Sequence, residues 1–200
     1  MDITTALPLD PPTTSEHGAL PLEPIAAPRS LFVRLLYWVT RRRYGRTPTA
    51  FRVVYARAPF IGLVTVVAVG LFERFGKLDR ELAMLVQVRI ASQKGCTFCQ
   101  DLQLAEAVKA GIGTARFRDL DGYETSAAFT ERERAALAYA DAVETSLRVP
   151  EALFARLKAA FDEREITELV WLCALERYFN TMALPLRIGS DHLEDAVRAR

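Results

Sequence analysis

The chain of 200 residues holds only three cysteines and two histidines. Three cysteines cannot build the framework of a disulfide-stapled domain. Zinc takes four ligands, usually supplied in close pairs, and beyond one cysteine pair only the isolated Cys173, His192 and His17 remain. No metal and no other cofactor is expected. No apolar run reaches the ~18–20 residues of a membrane-spanning helix. The longest uncharged run, PFIGLVTVVAVGLF at 59–72, fits a buried helix better. Charge of one sign is not in excess: 26 Lys and Arg face 25 Asp and Glu, which argues against nucleic-acid binding. No segment alternates with the period of two that marks a strand, so the expected class is all-α. The front of the chain lacks a basic stretch followed by an apolar one, so no secretory signal is expected. The expected location is cytoplasmic, where a close cysteine pair is more often catalytic or metal-binding than structural.

What is present reads as helices with clear ends. Residues 1–29 hold six prolines and no hydrophobic period, the composition of a disordered or extended arm. A basic amphipathic extension is expected over 30–58. Ser30 can cap a helix in which Leu31, Phe32, Leu35, Leu36 and Val39 recur at helical spacing, with Gly45 as its stop. Arg41, Arg42 and Arg43 fall in its last turn, where cations suit the helix dipole. Between 30 and 72 there are seven arginines and no acid. Such a helix can pack its apolar stripe on the domain, the preferred reading, or lie with residues 30–46 on an anionic membrane surface. The main domain is expected over 59–190, with a tail at 191–200. Asp79 caps a helix that is apolar almost all round and therefore deeply buried. Thr130 with Glu133 and Asp162 with Glu165 form capping boxes. Cys173 reads as a core residue, Glu176 and Arg177 as an ion pair at an oligomer contact, and His192 as exposed.

The segment GCTFCQDLQ at 95–103 carries Cys96 and Cys99. Gly95 breaks one helix and Cys96 opens the next. A thiolate there is stabilised by free backbone N–H groups and by the positive end of the dipole. A spacing of three places both sulfurs on one side of the first turn, where one thiol can resolve a sulfenic acid formed on the other. Lys94 and Arg89 are near in sequence and add positive potential. Two small buried residues, or half of a metal site, would also show this spacing.

Three stretches resemble the carboxymuconolactone decarboxylase-like superfamily, and within it the alkylhydroperoxidase D-like group: MLVQVRIASQKGCTFCQDLQLAEAVKAGI (84–112), FTERERAALAYADAV (129–143) and FDEREITELVWLCALERYFNTMALPL (161–186). The resemblance implies an alkylhydroperoxidase D-like helical bundle that assembles as a trimer or hexamer. It implies reduction of a small-molecule hydroperoxide, with Cys99 as the attacking thiol, Cys96 as the resolving thiol, and an external thiol as reductant. The redox members also carry a histidine four residues after the second cysteine and a glutamate twelve before the first. Here these positions are Gln103 and Met84. Gln103 can hydrogen-bond but cannot titrate, and Met84 does neither well. Glu81, one turn before Met84, is the nearest substitute, although a first-turn acid is more simply read as solvated. Asp101 and Glu106 are expected on the surface.

Without the relay, the expected loss lies in rate and pH profile, because cysteine attacks even at a modest thiolate fraction. The functional reading is a peroxidase of the peroxiredoxin type. Its alternatives are a helical scaffold without catalysis and a sensor that forms the disulfide once. The decarboxylase chemistry that names the superfamily is not expected, since no basic constellation suits a dicarboxylate lactone.

Overall fold

The computed structural model describes residues 19–200, and among them there is no strand. The start of the expected arm, residues 1–18 with His17, lies outside the described residues. Residues 19–29 form no helix, bend repeatedly and are tied to the protein. The Ile25 N–H donates to the Arg52 carbonyl at 3.0 Å and the Tyr37 hydroxyl to the Ile25 carbonyl at 2.8 Å, while Pro28 is buried.

Helix α1 (Leu31–Tyr44) begins at Ser30 and ends at Gly45, whose φ of 85° is the left-handed region that glycine adopts freely. A turn of π-helix follows at Phe51–Tyr55. Then come α2 (Pro59–Phe75), α3 (Arg80–Lys94), α4 (Thr97–Lys109), the short α5 (Ala115–Arg118), α6 (Glu131–Ser146), α7 (Glu151–Ala160), α8 (Glu163–Ala183) and α9 (Leu193–Arg198). The caps at Asp79, Thr130 and Asp162 form as expected, the last two as complete capping boxes.

The largest core gathers α3, α6, α7 and α8 around Leu85, Ile90, Leu137, Leu157, Leu169 and Leu172. Nine of the fifteen residues of α3 are buried, as its all-round apolar pattern requires. A second apolar cluster lies between α1, the π turn, α4 and the end of α8, and holds both Cys96 and Cys99.

Three expectations do not hold. The buried face of α1 is Val33, Leu36, Tyr37, Thr40 and Tyr44, whereas Leu31, Leu35 and Val39 face outward. Apolar residues sit on more than one side of this helix, so spacing alone does not choose between them. From the last turn of α1, Arg43 pairs with Glu106 of α4. Asp101 and Glu106 are buried, at 8 % exposure each, because each carboxylate gathers several donors. Asp101 accepts from the Ser190 hydroxyl and from the N–H groups of Asp191, Leu193 and Glu194 at 2.9–3.0 Å. The tail is thereby pinned to α4 as helix α9. Finally, α2 is not a buried helix. Only Gly62 and Thr65 are buried, while Phe60 (76 %), Val64, Val67, Leu71 and Phe75 (63 %) are exposed. At Gly62 an added Cβ would lie 2.9 Å from Tyr55 Cβ, so α2 approaches the π turn only because this residue lacks a side chain. Among the described residues no helix is long and apolar enough to cross a membrane.

Candidate active site

Gly95 ends α3 at φ 69°, the left-handed conformation expected of a terminal glycine. That reversal puts Cys96 at the N-cap of α4, and the Cys99 N–H donates to Cys96 Sγ at 3.3 Å. The sulfur therefore fills the place of a capping oxygen. The two cysteines are closed as a disulfide with 5.3 Å between their Cα atoms, inside the usual range. When the bond is reduced, a thiolate on Cys96 has the Cys99 N–H at its sulfur and the positive end of the α4 dipole beside it.

Cys96 is fully buried. Cys99 lines a cavity of about 40 Å³ between the π turn, α4 and α8. Phe51, Val54, Phe98, Leu102, Phe179 and Met182 make most of its wall apolar. The π turn supplies part of that wall; such turns often mark functional sites. Gln103 also lines the cavity, one helical turn beyond Cys99. Glu81 does not. Its carboxylate accepts from Arg116 Nη1 at 2.5 Å, away from the cysteines. Met84 lies in the main core. Arg89 and Lys94 are already neutralised, by Asp141 and Asp121 and by Glu144 respectively, so they supply less positive potential than their sequence positions suggest.

One lining group was misread from the sequence. Glu176 does not pair with Arg177 at an oligomer contact. It is 1 % exposed and projects from α8 into the cavity that holds Cys99, while Arg177 turns to Glu144 at 3.6 Å. Gln87 Nε2 donates to Glu176 Oε2 at 3.2 Å, and Glu176 Oε1 has no hydrogen-bond partner. Burial is the main cause that pushes its pKa up to about 8. The Gln87 amide opposes that rise and the Glu144 charge adds to it. This contribution to stability is full below the ordinary carboxyl value of 4.5 and is lost as pH rises from there through about 8. The sequence signal was the interruption of an apolar α8 pattern by a charged residue, which by type alone reads as surface.

Cys173, the remaining cysteine, is buried in the main core, and burial pushes its thiol up to about 12. His192 is exposed beside Asp195. Among the described residues no group of three or more His, Cys, Asp or Glu is placed to hold a metal ion.

The sequence model of the carboxymuconolactone decarboxylase family matches residues 65–142, which include the cysteine pair and exclude α8. The uncharacterized protein YnjA of Escherichia coli (strain K12) is 33 % identical over 161 residues, spanning 78 % of this chain and 88 % of that one. A solved structure from Agrobacterium tumefaciens, a protein of unknown function named as a candidate antioxidant defence protein AhpD, is 26 % identical. It superposes with a TM-score of 0.62 over 70 % of this chain and 97 % of its own. The debrominase Bmp8, solved as a cysteine-to-alanine variant in complex with 2,3,4-tribromopyrrole, shares the fold at 17 % identity. Its TM-score is 0.76 over 92 % of this chain and 98 % of its own.

Proposed function

This chain belongs to the carboxymuconolactone decarboxylase family, and from that premise we propose that it is a dithiol enzyme that reduces small organic hydroperoxides through Cys99 and Cys96. The observation that carries this reading is the division of labour at the pair: Cys99 faces an apolar cavity, and Cys96 is buried behind it within bonding reach. The Cys99 thiolate attacks the outer peroxide oxygen and the O–O bond breaks. Cys99 becomes a sulfenic acid, and the alkoxide takes up a proton and leaves as an alcohol. Cys96 then attacks the Cys99 sulfur and hydroxide leaves as water, which gives the observed disulfide. An external thiol returns two electrons and restores the pair. The small cavity and its apolar wall favour small alkyl hydroperoxides, such as tert-butyl hydroperoxide, over long-chain ones.

Turnover is the test. With excess tert-butyl hydroperoxide and dithiothreitol, many equivalents of alcohol per protein are expected. A single equivalent followed by arrest would make the protein a stoichiometric sensor, and none would leave the scaffold reading.

The reading includes self-association through α2. Monomers rarely expose contiguous apolar patches larger than a few hundred Å², and α2 presents Phe60, Leu63, Val64, Val67 and Leu71 without a charge before Glu73. Sedimentation is expected to give a multiple of the 22.4 kDa chain, and Val67→Glu is expected to bring it down toward one chain. A wild-type mass of one chain would remove this part of the proposal.

A further inference from the structure

We propose that Glu176 exchanges a proton with Cys99, accepting it as the thiolate forms and returning it to the alkoxide that leaves the peroxide. The second half of this inference rests on the peroxidase reading; the first half does not. Gln103, which also lines the cavity, cannot titrate. Glu176 reaches the cavity from α8, far away in sequence, and lines it together with Cys99. A buried carboxyl with one unpartnered oxygen and no cation beside it is an expensive feature for a core. The structure offers no packing reason for it, since Gln87 satisfies only one oxygen. Glu176 thus lines the cavity while Oε1 keeps its hydrogen-bonding capacity unspent.

The surroundings leave Glu176 as the group that can titrate toward Cys99. Gln87 on α3 is neutral. Glu144 on α6 is held by Lys94 and Arg177. On α8, Cys173 lies in the main core with its thiol pushed up to about 12 by burial, and Asn180 does not ionise. Tyr55 of the π turn also lines the cavity, and burial holds its phenol well above the ordinary value. The Glu176 carboxyl is raised to about 8, chiefly by burial, so both its acid and its carboxylate form are present near neutral pH. Its carboxylate can accept a thiol proton, and its acid form is strong enough to protonate an alkoxide.

The test uses full-length reduced protein carrying Cys96→Ser, so that Cys99 reacts alone, with and without Glu176→Gln. Gln has the same shape and keeps an acceptor for Gln87, and its melting temperature is expected at or above that of the parent. Two probes separate the roles. The tert-butyl hydroperoxide reaction needs a proton on its leaving group, whereas alkylation by iodoacetamide expels iodide without one. At pH 7, Glu176→Gln is expected to slow the peroxide reaction about 100-fold and alkylation by less than roughly threefold. The pH profile of alkylation is expected to rise in two steps with Glu176 present, as for a coupled pair, and in one step with Gln. Equal losses with both probes, or no loss with peroxide, would overturn the proton-return role. A one-step profile with Glu176 present would overturn the exchange, and that measurement needs no Glu176 variant. If the parent reacts with peroxide no faster than a free thiol, the peroxidase reading falls, while the alkylation profiles still decide whether Glu176 and Cys99 share a proton.

Discussion

Cys99→Ser is expected to lower peroxide reduction by at least about 10³-fold, because the seryl hydroxyl has neither the acidity nor the nucleophilicity of a thiol and no second thiol faces the cavity. Cys96→Ser is expected to behave differently. Serine is a good N-cap, so α4 keeps its first turn, and Cys99 still meets the peroxide. Without a resolving thiol the reaction stops after one equivalent, with a sulfenic acid on Cys99 that a dimedone-type trap labels. Equal behaviour of the two variants would remove the assignment of roles, since that assignment rests on Cys99 facing the cavity and Cys96 holding the N-cap behind it.

The second large effect concerns stability. Glu106→Ala is expected to destabilise the fold by about 1–3 kcal/mol, and a melting temperature roughly 5 °C lower is the expected readout. Glu106 accepts from Arg43 Nε at 2.6 Å, from a second Arg43 nitrogen and from the Tyr44 hydroxyl. Arg80 adds a contact at 3.3 Å. Removing the carboxylate strands the buried Tyr44 hydroxyl, leaves the part-exposed Arg43 guanidinium to water, and loosens α1 from α4, the helix that carries the cysteine pair. Burial by itself would raise the Glu106 carboxyl, but the hydrogen bonds from Arg43 and Tyr44 and the charges of Arg43 and Arg80 outweigh it and hold it below 4.5. Its stabilisation is therefore complete above pH 4.5 and is lost as pH falls through the depressed folded value. Melting curves between pH 7 and pH 3 are expected to show a smaller acid dependence in Glu106→Ala than in wild type. An unchanged melting temperature at pH 7 would mean that the Arg43 pair is screened and α1 is held by its apolar face alone.

The elements most legible in the sequence were those whose signals are local. Ser30 and Gly45, Asp79, and the two capping boxes mark helix ends because a cap is satisfied within three or four residues of itself. The cysteine pair was legible for the same reason: glycine, N-cap and spacing lie within five residues. What remained hidden depends on partners distant in sequence. Glu106 and Arg43 are 63 residues apart, Asp101 meets donors about 90 residues away, and Glu176 meets Gln87 across 89. A carboxylate reads as surface until its donors are known, so all three were misplaced. Helix α2 failed in the opposite direction. An apolar helix is equally consistent with a core and with a subunit contact, and periodicity does not separate them.

The central claim, that the pair is a working peroxide-reducing site, is tested most directly by intact mass. Fully reduced protein is mixed with a small excess of tert-butyl hydroperoxide and quenched over time. The account predicts loss of two hydrogens per chain far faster than a free thiol reacts under the same conditions, with no oxygen retained. Oxidation at the rate of a free thiol, or accumulation of added oxygen without disulfide, would contradict it.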